Sequence, residues 1–163
     1  MSDRYCASIR IGGRIERARV EPLLEAIHAS SVALEWGDAF FEPADADELI
    51  EARKDGWLQF CNDQACNGEF PELECACREL KLSYRRHSEA YCSYDAEVAD
   101  WRPGMAKPLC QTGSSERDDA ILVPQADVKE ALACLIVGAT RRATKLLRKL
   151  CPDISELPLF EIV

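Results

Sequence analysis

The chain has 163 residues, 47% of them hydrophobic, enough to bury a core without disulfides or metal ions, and this length points to one domain. Its formal charge is −9, from 29 acidic against 20 basic residues, which excludes general nucleic-acid binding through a basic surface. Nine cysteines at irregular spacings, an odd number in a chain with core to spare, read as reduced thiols.

The start, MSDRYCASIR, has no positively charged leader followed by an apolar stretch. The longest apolar run, ALACLIVGA at 131–139, is far shorter than the roughly 18–20 residues a membrane span needs. The expectation is a soluble, unexported protein.

In chain order, YCASIRI (5–11) alternates as a half-buried strand, and the glycine pair at 12–13 is expected to end it in a turn. Val20, Leu23, Leu24 and Ile27 form a helical stripe over about 19–30, with Pro22 tolerable in the first turn. SVALEW (31–36) reads as a short strand. A helix follows over about 45–54, where Asp45 and Glu48 stand at the spacing of a capping box. WLQFC (57–61) reads as a strand and NDQACNGE (62–69) as a loop. Phe70, Leu73, Cys77 and Leu80 make the buried stripe of a helix over 70–81, and LSYRR (82–86) alternates as a strand.

A hairpin-like piece over 90–101 precedes the Pro-, Gly- and Ser-bearing segment 102–119, which is expected to be a mobile loop. AILVP (120–124) reads as a strand, then a helix runs over about 125–137, broken by Gly138 before a basic helix at 139–150. LPLFEIV (157–163) is apolar enough to add a strand or dock in a groove. The pattern suits an α+β fold, a mainly antiparallel sheet with helices on one face in a split βαβ arrangement, plus C-terminal helices. A core domain would cover 1–124, with a helical segment at 125–163 packed on it.

Several constellations hold chemistry-bearing side chains. Cys61, Cys66, Cys75 and Cys77 are spaced C-x₄-C-x₈-C-x-C, unlike the paired spacing of common zinc sites. On a helix Cys75 and Cys77 would point about 200° apart, so no metal is expected. His87, Ser88 and Cys92 offer a base and two nucleophile types, with His28 a conceivable partner from elsewhere. A strand would put His87 opposite Ser88 and Cys92, which favours polar surface residues over a local triad. IRIGGRI lacks the spacing of a phosphate-cradling loop, and no stretch implies a cofactor.

Charge is more informative. Five of the 20 basic residues, Arg141, Arg142, Lys145, Arg148 and Lys149, lie within 141–150 without an acid, so the rest of the chain sets 29 acids against 15 bases. On a helix these five form one face opposite Leu146, Leu147 and Leu150, suited to solvent, to an acidic patch on a second copy, or to nucleic acid. The segment 35–52 has seven carboxylates, Glu35, Asp38, Glu42, Asp45, Asp47, Glu48 and Glu51, and no Lys or Arg. Asp45, Asp47 and Glu48 suit a helix N-terminus.

The stretches YCASIRIGG, NDQACNGEFPELECACRELKLSYRRHSEAY and WRPGM, within about residues 4–105, resemble a group of small, uncharacterised proteins of phages and other bacterial mobile elements. The resemblance carries no catalytic residue. It implies a setting in the bacterial host cytoplasm, where small acidic proteins bind and block host machinery, as anti-CRISPR and anti-restriction proteins do.

The expectation is therefore a non-enzymatic, acidic protein-binding module that inhibits a host nucleic-acid-handling complex of the CRISPR type. Its surface would comprise Glu35, Trp36, Asp38, Phe40, Phe41, Glu42, Asp45, Glu48 and Glu51, the aromatics serving as anchors unless Phe40 and Phe41 are core. The alternatives are an enzyme with a site near His87 and Cys92, and a regulatory protein that dimerises or binds nucleic acid through the basic helix.

Overall fold

The computed structural model describes residues 3–92, 94–114 and 120–163. Its centre is β1 (Arg4–Ile15), whose apolar residues Ala7, Ile9 and Ile11 alternate toward the core. Strand β2 (Leu58–Cys66) pairs antiparallel on one side of it and β3 (Ser83–Ser88) on the other. The sheet continues antiparallel through β4 (Glu97–Trp101) to β5 (Leu109–Thr112), in the order β2-β1-β3-β4-β5. Because β1 is antiparallel to both neighbours, β2 and β3 run parallel with β1 between them. They are joined by α3 (Pro71–Leu80), which gives the expected split βαβ arrangement.

Helix α1 (Glu21–Ser30) lies against α3, and together they cover one face of the sheet. Leu23 and Ile27 from α1, with Leu73, Cys77 and Leu80 from α3, pack on Ile9, Ile11, Leu58, Phe60 and Tyr84. The 3.6-residue stripes at both helices are therefore the core stripes. Helix α2 (Ala46–Glu51) adds Leu49. The C-terminal part is a helical hairpin, α4 (Gln125–Ile136) and α5 (Thr140–Leu150), turned at Gly138, followed by an extended stretch and β6 (Phe160–Ile162). No helix among the described residues is long and apolar enough to cross a membrane.

Several boundaries differ from the sequence reading. The glycine pair does not end β1, which runs on to Ile15 and there pairs in parallel with β6. The glycines serve close approach: a Cβ on Gly12 would lie 1.8 Å from the Pro158 carbonyl oxygen. SVALEW forms no strand; only Ala33 bridges β2, at Cys61, before the chain loops away. Helix α2 stops three residues early because Asp55-Gly56, both at positive φ, make a tight reversal between Lys54 and Trp57. Strand β2 extends through 62–66, and the expected loop shrinks to a second such reversal at Asn67-Gly68.

The expected hairpin at 90–101 reduces to a Tyr91–Tyr94 bridge followed by β4. The expected loop 102–119 contains β5, and its residues 115–119 lie outside the described residues. AILVP contributes one bridge, Ile121 to Gly113.

Candidate protein-binding surface

The acidic segment begins where the Ala33 bridge ends. Residues 33–40 form a loop closed at its base by the Phe41 N–H donating to the Val32 carbonyl at 2.7 Å. Phe41 is half-buried and stacks on core Phe60 with ring centroids 5.9 Å apart. Its neighbour Phe40 is 62% exposed and Trp36 is 47% exposed. The two adjacent phenylalanines thus divide, one anchoring the loop and one facing solvent. A second tie comes from α1, where His28 Nε2 donates to the Pro43 carbonyl at 3.0 Å.

The carboxylates divide too. Asp45 caps α2, its Oδ1 accepting from the Asp47 and Glu48 N–H groups at 2.8 and 3.1 Å. Glu48 Oε2 accepts from the Ala44 N–H at 2.9 Å, one residue beyond the usual reciprocal partner of a capping box. Asp47 receives both arms of Arg17, at 2.6 and 3.1 Å, and that guanidinium holds its carboxyl below the usual value. Glu35 accepts from Lys54 Nζ at 2.8 Å. Asp38, Glu42 and Glu51 are exposed and have no partner among the described residues. The carboxylates of the segment with neither a cation nor a capping bond among the described residues are thus Asp38 and Glu42, which flank the exposed Phe40, and Glu51 on the end of α2.

The basic helix is α5. Arg141, Arg142, Lys145, Arg148 and Lys149 are all exposed, and Arg142 donates to Glu130 of α4 at 2.8 Å. Leu146 and Leu150 are half-buried on the other side, while Leu147 is 40% exposed. The hairpin buries little: Ala131, Cys134 and Ala143 fill its seam. Val128, Leu132, Leu135, Ile136 and Val137 remain exposed, the last two at 77%.

The candidate triad is not assembled. Strand β3 ends at Ser88, and Cys92 sits exposed beyond it at φ 51°, so the expected shared face of Ser88 and Cys92 does not exist. His87 and Ser88 are buried, contrary to the surface reading. His87 Nε2 lies 3.0 Å from the Ser114 carbonyl, on the face of the sheet opposite His28. Cys75 is exposed and Cys77 buried; burial pushes the Cys77 thiol well up. Among the described residues no group of three metal-ligating side chains forms.

Sequence reasoning missed the polar pairs on the two faces of β3. On the helix side, Arg86 is ion-paired to Glu74 of α3 at 3.0 Å and donates to Glu97 at 2.6 Å and to the Gly68 carbonyl at 2.7 Å. The Tyr84 hydroxyl donates to the same Glu74 at 2.9 Å, and burial with the Glu74 charge pushes its pKa up. On the other face, Asp100 accepts Arg85 through Nε and Nη2, and Arg102 through Nη2 at 3.1 Å. The one sequence signal was two consecutive arginines in a strand flanked by core, a pattern that requires an acid on each face.

The sequence matches no family model, and no curated protein or solved structure shows significant similarity to it.

Proposed function

We propose that this chain is a non-catalytic protein-binding module that uses the 33–42 loop and α2 to occupy a Lys/Arg-lined surface on another protein. One observation carries the reading: Trp36 and Phe40 are exposed on a loop fixed at its base by Phe41, beside the unpaired carboxylates Asp38 and Glu42. Large aromatics on a fixed loop are the residues that dominate interface energies. Unpaired carboxylates beside them attract a basic partner, speed encounter and set register. Grooves that handle nucleic acid are lined with such cations, so the partner class is a nucleic-acid-handling complex, and in a phage or mobile-element setting a CRISPR-type defence complex is its natural example.

The test is affinity capture from bacterial lysate with the wild-type chain, Phe40→Ala, and Asp38→Lys/Glu42→Lys. The charge reversal avoids Asp45 and Glu48, which cap α2 and would confound binding with folding. Expected is one defined nucleic-acid-binding complex, released at high salt and lost in both variants while their melting temperatures stay unchanged. Equal retention by wild type and variants overturns the reading.

A second reading, self-association, is favoured by the exposed apolar residues of α4 beside the basic face of α5. Sedimentation of wild type against Ile136→Glu tests it, with a dimer that dissociates in the variant as the expected result and a concentration-independent monomer as the contrary one.

A further inference from the structure

We propose that the sheet face turned away from α1 and α3 carries a binding site for a phosphate monoester of a small ring-bearing molecule, centred on Arg10 and Arg85. The two arginines are direct cross-strand partners, Arg10 on β1 and Arg85 on β3, so their side chains leave the sheet side by side on one face. They open into a recess of about 390 Å³ walled by Trp57 and by the C-terminal stretch 154–157. That volume falls in the range of small-molecule sites.

The wall is fixed from behind. Trp57 Nε1 donates to the Leu157 and Pro158 carbonyls at 3.2 and 3.1 Å, and Arg102 Nε donates to the Ser155 carbonyl at 3.2 Å. Arg102 Nη1 donates to the Tyr84 and Trp101 carbonyls and Nη2 to Asp100, so four of its five donors are held within the fold and Arg102 is a structural cation. Arg85 gives Asp100 its Nε and Nη2, which leaves Nη1 directed elsewhere.

Arg10 is the unexplained member. It is half-buried beside a like charge, yet it has no hydrogen-bond or ion-pair partner among the described residues. Like charges directly opposite on paired strands are destabilising unless something neutralises them. Arg85 and Arg102 share the single buried carboxylate of Asp100, and with Arg10 and the lining carboxylate of Glu156 counted, three guanidiniums face two carboxylates here, a net positive charge. Glu156 lines the same recess, but it is exposed and makes no ion pair with either arginine among the described residues. A phosphate monoester carries close to two negative charges at neutral pH and accepts guanidinium forks in bidentate geometry. The five donors of Arg10 and the free Nη1 of Arg85 supply the contacts, and the Trp57 indole supplies an apolar wall for the ring. The site lies apart from the acidic loop and does not depend on its reading.

The test is calorimetric titration of the full chain with inorganic phosphate and with phenyl phosphate at low salt, on wild type and Arg10→Gln. Arg10 holds no partner among the described residues, so its loss orphans none of them, unlike Arg85→Ala, which would leave the buried Asp100 with Arg102 alone. Expected is saturable binding at one site per chain, tighter for phenyl phosphate than for inorganic phosphate. Loss of one charge-assisted contact set in Arg10→Gln should weaken it about tenfold or more. In phosphate-free buffer Arg10→Gln should melt no lower than wild type, since it relieves repulsion. Absence of binding overturns the proposal, as does equal binding by the variant. A melting temperature lower in Arg10→Gln than in wild type without phosphate also overturns it, because Arg10 would then already have a partner within the chain.

Discussion

Arg86 is the side chain whose removal tests most sharply how β3 is held between two layers. Its guanidinium is 4% exposed and sits between Glu74, 3.0 Å from its Nε, and Glu97, 2.6 Å from its Nη2. The Nε contact is an ion pair without hydrogen-bond alignment, so its strength is Coulombic. Arg86→Met removes this charge and leaves the Glu74 carboxylate buried with the Tyr84 hydroxyl, the Phe70 N–H and Arg78 at 3.9 Å. Breaking a buried pair from one side costs about 3–5 kcal/mol, and the longer, partly exposed Arg78 contact offsets a fraction, so a loss of about 3 kcal/mol is expected. For a chain of this size that lowers the melting temperature by about 6–12 °C. Urea and thermal unfolding followed by circular dichroism measure both, with the urea slope unchanged. Adding Glu74→Gln removes the stranded charge while keeping an acceptor for Tyr84, and should return about half of the loss or more. A single variant within about 1 kcal/mol of wild type, or a double variant no better than the single, refutes the pairing as a structural determinant.

Phe41→Ala should cost about 2–3 kcal/mol, because it removes a half-buried ring from Phe60, whereas Phe40→Ala should leave the melting temperature unchanged; a similar loss in both would deny the division of the two rings. Gly12→Ala places a methyl against the Pro158 carbonyl and should destabilise by about 2 kcal/mol, with faster hydrogen exchange across β6; unchanged exchange would refute the close approach of Pro158 to Gly12. Burial pushes the Cys61 thiol from 9.0 up to about 11, so the folded chain keeps a proton that the unfolded chain releases. That contribution is fully present below pH 9 and is lost as pH rises toward 11, and Cys61→Ala should flatten the fall; urea unfolding across this range reads it directly.

The helices were legible because an amphipathic stripe is a local signal. Leu23, Leu24 and Ile27 on α1, and Leu73, Cys77 and Leu80 on α3, carry their burial in their spacing. Gly12-Gly13 misled because a glycine pair reads as a turn, while its use here depends on Pro158, distant in sequence and adjacent only in the fold. Asp55-Gly56 was legible in principle as a tight reversal and would have set the end of α2. Strand β3 was legible, but its ion pairs were not, since Glu74 and Asp100 reach Arg86 and Arg85 only through the packing of α3 and the register of β4. The candidate surface shows the same limit. The capping role of Asp45 followed from spacing, but neither the choice between Phe40 and Phe41 nor the neutralisation of Glu35 by Lys54 and of Asp47 by Arg17 could be read locally.

The most direct measurement on the central claim is competition at the acidic loop. A complex captured by the wild-type chain is challenged with its own nucleic-acid substrate, in parallel with the Phe40→Ala and Asp38→Lys/Glu42→Lys variants. Expected is mutually exclusive binding of chain and nucleic acid, weakened by salt and lost in both variants. Simultaneous binding of chain and nucleic acid, or capture unaffected by those substitutions, would contradict it.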